Sequence, residues 1–236
     1  MNRLTVQNAE LMANVFRSKA GLSLTEPVGA KTLLRKLQIT AVYRPLSQNS
    51  YGISCKSKND RMFMLINCNS TRGRQHFTIA HELYHLYFDE SPVPHMCMDS
   101  VSEVEKNANL FASALLLPRE GLLSMLSPKE AYSRNIALST ILRMEQLYEV
   151  SRINLLVRLK ELNLLSKAQF EEMKSIPVKK SAMEYGYDLS LYEPGNDGLV
   201  ISDFGEKART LFECGKISEG HYMELLNQIS GTHEEN

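Results

Sequence analysis

The segment that most constrains the 236-residue chain is FTIAHELYHLYFDE at residues 77–90. Its apolar residues recur at helical spacing, which predicts a buried helix. His81 and His85 are four residues apart, so both imidazoles project from one helix face and can reach one Zn²⁺ at ~2.0–2.1 Å. Glu82 lies roughly 100° round the helix from His81, where it can reach a water on the metal without being a ligand. This H-E-x-x-H pattern predicts two metal ligands and a general base on one rigid element.

A pattern of five residues also occurs by chance on surface helices, so a third ligand must decide between a metal site and an ordinary helix. The longer motif H-E-x-x-H-x-x-G-x-x-H would need glycine at position 88 and histidine at position 91. The chain has Phe88 and Ser91 there, which excludes that class of metalloprotease. The remaining source of a ligand is a glutamate on the next predicted helix, SVSEVEKNANLFASALLLP.

Glu105 is the predicted third ligand. Ala108 and Ala112 share its helical stripe, and such small residues let this helix approach the first one closely. Asn109 follows Glu105 by four residues and is placed to hydrogen-bond a metal ligand. Glu103 is the rival ligand, but it points roughly 200° away from Glu105 by the helical period. We therefore expect Glu105, and not Glu103, to complete the site.

The remaining pattern mixes helices with a few short strands. Residues 1–38 predict two helices, and three segments within 39–67 are rich in β-branched and aromatic residues, which predicts a small antiparallel sheet. Residues 91–99, SPVPHMCMD, predict a loop because of their two prolines, and the tail predicts a hairpin followed by two short helices. The predicted fold class is α+β and mostly helical, with a metal-binding domain at 1–130, a helix-turn-helix-like module at 131–175 and a C-terminal extension at 176–236 that serves as a partner-binding or regulatory segment.

Charge and composition narrow the class of protein. Lys+Arg and Asp+Glu are both 27, so the chain lacks the basic excess that nucleic-acid-binding proteins usually carry. The N-terminus has no apolar core of a signal peptide, and apolar runs such as 114–118 are far too short to span a membrane. The cysteines lie far apart without a CxxC pair, which indicates free thiols. The expected location is the cytoplasm.

RQHFTIAHELYHLYFDE followed by EKNANLFASALLLP resembles the ImmA/IrrE family of zinc metallopeptidases, and FMLINCNSTRGR is similar to the strand and turn that precede the family's active helix. The resemblance covers residues 1–130 and continues more loosely to about 165. One departure is Tyr84, where many members have glycine. The resemblance implies a gluzincin-like domain with Zn²⁺ as its cofactor. By this resemblance the metal ligands are His81, His85 and Glu105, and the catalytic acid/base is Glu82.

The resemblance also implies a substrate, a helix-turn-helix transcriptional repressor whose site-specific cleavage relieves repression on a mobile element, in a phage or in a stress response. The alternative is a catalytically weak, peptidase-like scaffold that binds a repressor or DNA without cleaving. Glu82 favours the enzyme, since a scaffold has no need of a general base. Two details stay open: the oxyanion donor, and whether the strand at 61–67 is an edge that pairs with substrate or lies inside the sheet. The candidate oxyanion donors are Arg74, Tyr84, Tyr87 and His95.

Residues 139–166 predict a helix, a tight turn and a second helix, which is typical of a helix-turn-helix. Ser151 is the predicted N-cap of the second helix. One interpretation places that helix in the major groove of DNA, and the other makes the module a packing or repressor-docking unit. From Arg134 to Glu161 the sequence contains five basic and three acidic residues. A surplus of two positive charges is too small for strong phosphate binding. We therefore favour packing over DNA binding.

Overall fold

A computed structural model describes residues 3–47, 49–89, 95–98 and 102–230, without the side chains of 95–98 and 228–230. The described part of the chain is mostly helical with one small sheet, which confirms the α+β class. Its α-helices are α1 Val6–Lys19, α2 Ala30–Lys36, α3 Arg72–Phe88, α4 Glu103–Leu116, α5 Arg119–Met125, α6 Pro128–Ser133, α7 Leu138–Tyr148, α8 Arg152–Glu161, α9 Lys167–Ser175, α10 Val178–Glu184, α11 Phe204–Glu213 and α12 Glu219–Ser230. Its strands are β1 Ile39–Arg44, β2 Ser50–Lys56, β3 Met62–Asn67, β4 His95–Met98 and β5 Val200–Ile201, and a short 3-10 helix spans Ser190–Tyr192.

The sheet has the order β4-β2-β3-β1-β5 and is mixed, so the expectation of a purely antiparallel sheet is wrong. β2 and β3 form an antiparallel hairpin, whereas β3 and β1 pair in parallel, with Ile39 opposite Met62. The chain reverses direction after β1 and again after β2, so β3 runs in the same direction as β1. Because β3 lies between β2 and β1 in the sheet, it pairs antiparallel with β2 and parallel with β1. β3 is therefore an interior strand, which leaves it no free edge for a substrate.

Two further expectations need correction. The segment at 91–99 was expected to be a loop throughout, yet His95–Met98 forms β4 and pairs antiparallel with β2; residues 91–94 and 99 lie outside the described residues. The sequence predicts a hairpin in the tail, but Val200–Ile201 instead forms the edge strand β5, which pairs antiparallel with β1. In both cases a strand too short to show an alternating pattern finds its hydrogen-bond partner far away in the sequence.

One hydrophobic core joins α3 and α4 to the sheet and to α5, α7, α8 and α9. Phe16 of α1, Leu83 of α3 and Phe111 of α4 belong to it together with Leu155 and Leu159 of α8. The two helices of the predicted helix-turn-helix thus pack on the same core as the helix that carries the two histidines. The domain boundaries at 130 and 175 stay predictions. None of the described helices combines the length and apolar character of a membrane span.

Two arginines of α8 are buried and form hydrogen bonds and ion pairs with neighbouring helices. Arg152 is buried and donates to Glu145 of α7 and, at 3.1 Å, to Ser181 Oγ. Arg158 is buried as well and donates to the Leu117 carbonyl at 3.1 Å and to Glu10 at 2.8 Å. These contacts fix α8 in orientation between α7 and the N-terminal helix.

Candidate metal centre

The central helix α3 places two imidazoles side by side. His81 and His85 are only 2% and 6% exposed, and their Nε2 atoms lie 3.2 Å apart. The four-residue spacing stacks them one turn apart on one face, as the sequence predicts. Two nitrogens at this separation can share one cation.

Helix α4 adds a carboxylate to this pair. Glu105 Oε2 lies 3.1 Å from His81 Nε2, and its Oε1 lies 3.5 Å from His85 Nε2. The fully buried Ala108 and Ala112 lie where α4 packs on the core, so no bulky side chain separates α4 from α3. Glu103 lies elsewhere: it is exposed and pairs with Lys106 at 2.7 Å. The structure therefore brings Glu105, and not Glu103, to the histidines.

Hydrogen bonds on the outer side of each ring orient the imidazoles. His81 Nδ1 lies 2.9 Å from Asn109 Oδ1, and His85 Nδ1 lies 3.0 Å from Asp89 Oδ2. Both oxygens accept, so each Nδ1 carries the hydrogen and donates, which leaves the Nε2 lone pairs pointing inward. Asn109 lies where the sequence expects it. Asp89 was missed, although its position four residues after His85 was the available signal.

The atoms that the two imidazoles and Glu105 direct towards one another form a set suited to binding a cation. Ligand atoms of His81, His85 and Glu105 all lie within 4.8 Å of one another. Two imidazole lone pairs and a carboxylate converge there, and groups that only accept repel one another unless a positive ion lies between them. The set of two histidines and one glutamate is a known zinc donor set that leaves a fourth position open. The residues present therefore fit a zinc ion.

Glu82 lies beside this cluster in sequence and is fully buried against β2. Gly52 of β2 makes this packing close, since a Cβ added to Gly52 would lie 3.4 Å from Glu82 Oε1 and 2.6 Å from Thr78 Cγ2. The absence of a side chain at Gly52 lets the strand approach the helix at the level of Glu82. Sequence reasoning missed this role of Gly52, and nothing local in SYGISCK indicates it.

A cavity of about 800 Å³ opens onto the cluster. His81 and Glu105 line it, together with residues of α3, α4, α8 and the loop before α3. Arg74 lines it too, with its guanidinium carbon 3.7 Å above the centre of the Tyr51 ring. A volume of this size is typical of ligand pockets and holds several residues of an extended peptide.

The candidate oxyanion donors separate in space. Arg74 lines the cavity, whereas Tyr84 is buried in an aromatic cluster with Phe111 and Tyr87 packs edge-on against Phe16 at 5.3 Å. The side chain of His95 lies outside the described residues. His76, on the same helix, is away from the cluster: its Nδ1 lies 3.1 Å from the Glu149 carbonyl, and burial lowers its pKa.

The chain matches the model of one known protein family. The family model of the IrrE N-terminal-like domain, peptidase family M78, matches residues 34–160, which is more than half of the chain and contains the whole cluster. No curated protein matches the chain. This family indicates a metallopeptidase, and the buried group of two histidines and a glutamate could hold a metal ion. The chain therefore belongs to the ImmA/IrrE family of metallopeptidases.

Proposed function

We propose that this protein is a cytoplasmic, zinc-dependent endopeptidase that cleaves a cognate helix-turn-helix repressor at one site and so relieves repression. The observation that carries the proposal is the convergence of His81, His85 and Glu105, of which His81 and Glu105 line a peptide-sized cavity. Glu82 next to the first histidine supplies the general base that a peptidase needs and a binding scaffold does not. The family match supports the reaction class.

The three ligands would hold zinc, whose chemistry there is that of a Lewis acid, polarising a peptide carbonyl and acidifying water. Glu82 would accept the proton of the attacking water and return it to the leaving amine nitrogen, so that one carboxylate serves as base and then as acid. Asn109 and Asp89 hold the two imidazoles in the tautomer that presents Nε2 to the metal. His81, Glu82, His85 and Glu105 are all buried, and burial strengthens the electrostatic interactions among them.

The repressor as substrate follows from the family resemblance, and the chain offers physical support for a protein substrate over DNA. Two of the basic residues of α8, Arg152 and Arg158, are buried in ion pairs with Glu145 and Glu10. Guanidinium groups held in this way are not available to DNA phosphates. DNA binding by 139–166 is therefore the weaker alternative, and a packing role for the module is favoured.

The test is incubation of the purified, zinc-loaded protein with helix-turn-helix repressors encoded beside its gene, read by intact mass. We expect two fragments whose masses add up to the repressor plus one water, and no fragments after chelation. Glu82→Gln should keep bound zinc, measured by elemental analysis, and lose cleavage. Glu103→Gln is the matched control, because it changes an exposed glutamate near the site and should cleave as the wild type does. Full inactivation of the repressor by Glu82→Gln would instead establish the scaffold.

A further inference from the structure

Helix α8 exposes two large apolar side chains next to the metal centre. Ile153 and Val157 are 42% and 38% exposed, although most of the large aliphatic residues of this helix are buried. They are four residues apart, so they share one helix face, and both line the cavity that contains His81 and Glu105. An apolar pair kept accessible in a catalytic cavity is a candidate for substrate contact.

The other faces of α8 hold it in place. Leu155 and Leu159 are fully buried in the main core, and Leu155 lies roughly 200° round the helix from Ile153. Arg158 ties the same helix to Glu10 of α1. Ile153 and Val157 are therefore presented to the cavity by a fixed wall, so a bound group would find the surface already formed.

Apolar side chains from the two ligand-bearing helices also line the cavity. Phe77 precedes His81 by one turn of α3, about 6 Å along the axis, and Leu110 comes from α4. An extended peptide rises about 3.3 Å per residue, so a residue two positions from the bond held at the metal centre reaches the level of Phe77. The cavity thus combines apolar walls with a peptide-cleaving centre at a distance that one peptide spans.

We infer that Phe77, Leu110, Ile153 and Val157 form a specificity pocket for one large apolar side chain of the substrate, one or two residues from the scissile bond. The occupant is leucine, isoleucine, methionine or phenylalanine of the peptide being cleaved. The helix-turn-helix-like module thereby selects substrate as a wall of the active-site cleft. This inference rests on the proposed function, and it adds that the enzyme selects substrates by a large apolar side chain near the scissile bond.

A peptide library prepared from a digested bacterial proteome tests the inference. The zinc-loaded protein is incubated with it, and the new termini are mapped by mass spectrometry. We expect large apolar residues to be enriched at one position beside the cleaved bond. Ile153→Ala should weaken that preference about tenfold, because a few methylene contacts are worth that much in an apolar pocket. Val157→Asp should replace the preference with one for lysine or arginine. Leu147→Ala is the matched control, since Leu147 is equally exposed but lies on α7 away from this cavity.

A second arm separates failure of the pocket from failure of the peptidase. Glu82→Gln is immobilised with zinc, and the library peptides it retains are identified. Cleavage by the wild type with no apolar preference, or a preference unchanged in Val157→Asp at an unchanged urea midpoint, overturns the pocket and leaves the peptidase standing. Retention of apolar peptides by Glu82→Gln without any cleavage by the wild type supports the pocket and overturns the peptidase. Neither cleavage nor retention of library peptides overturns the pocket, and the incubation with the repressor then decides the peptidase.

Discussion

Replacing Gly52 with alanine tests the close contact between β2 and α3 that lies beside Glu82. The new Cβ would lie 2.6 Å from Thr78 Cγ2, 3.3 Å from the Leu65 carbonyl oxygen and 3.4 Å from Glu82 Oε1. Carbon atoms in contact are normally ~3.5–4.0 Å apart, so either the helix or the strand has to move by about 1 Å. Thr78 is poorly placed to rotate away, because its hydroxyl donates to the Arg74 carbonyl at 3.0 Å.

We expect Gly52→Ala to lower the free energy of unfolding by about 1–3 kcal/mol, which is the usual cost of overpacking a dense interior. Thr78→Ser removes the Cγ2 atom and keeps the hydroxyl, so only the milder contacts at 3.3 and 3.4 Å remain in the double variant. Thr78→Ser alone should cost about 1 kcal/mol for the lost methyl group. We therefore expect the double variant to be about 1–2 kcal/mol more stable than the sum of the two single effects predicts.

The assay is urea unfolding in the presence of a chelator, so that metal binding does not contribute to the free energy of unfolding. Gly220→Ala is the control: nothing lies within 4 Å of a Cβ at Gly220 in α12, and alanine favours a helix by up to ~1 kcal/mol. An unchanged urea midpoint for Gly52→Ala would refute the reasoning. So would a penalty for Gly52→Ala that is equally large in the Thr78→Ser background.

Three further predictions concern the site and its frame. Asp89→Ala removes the acceptor of His85 Nδ1 and should weaken zinc affinity about 10–100-fold in a chelator competition. Loss of this hydrogen bond should also lower the free energy of unfolding of the metal-free protein by about 1–3 kcal/mol. Glu145→Gln leaves the Arg152 charge buried without its counter-ion and should lower the free energy of unfolding by about 3–5 kcal/mol; an equally stable variant would contradict it. Burial raises the pKa of Glu130, but hydrogen bonds from Ser127 and others outweigh it and lower that pKa to about 2. The depressed pKa means that Glu130 stabilises the fold above its ordinary pKa of 4.5 and loses this contribution as the pH falls towards 2. For this largely solvated group we expect about 1 kcal/mol after screening, seen as a gap between wild type and Glu130→Gln that closes between pH 5 and 2.

The part of the site that the sequence predicted well lies on regular helices. His81, His85, Glu105 and Asn109 are related by helical period alone, and the period places them within reach of one another once two helices pack. Their functional roles stay predictions. The same reasoning placed Glu103 on the solvent side, where the structure has it.

The remaining features depend on contacts between distant segments, which a periodic pattern does not contain. The parallel pairing of β1 with β3, and the strand β4 inside a proline-rich segment, arise from the order in which strands enter the sheet. Gly52 acts mainly through its close approach to Thr78 and Glu82 of α3, which lie 26 and 30 residues later in the chain. Ile153 and Val157 resemble ordinary partly exposed helix residues until α3 and α4 form with them the cavity beside the candidate metal centre.

The short pairing of Val200–Ile201 with β1 has a consequence for how the C-terminal extension can be handled. A truncation after residue 176 would strip β1 of its outer neighbour and bare a row of backbone amides and carbonyls. An unpaired edge strand can form backbone hydrogen bonds with strands of other molecules, so the shortened protein would self-associate. Loss of activity in that truncation would then report a damaged sheet, and point substitutions in α11 and α12 are the cleaner way to ask what the extension does.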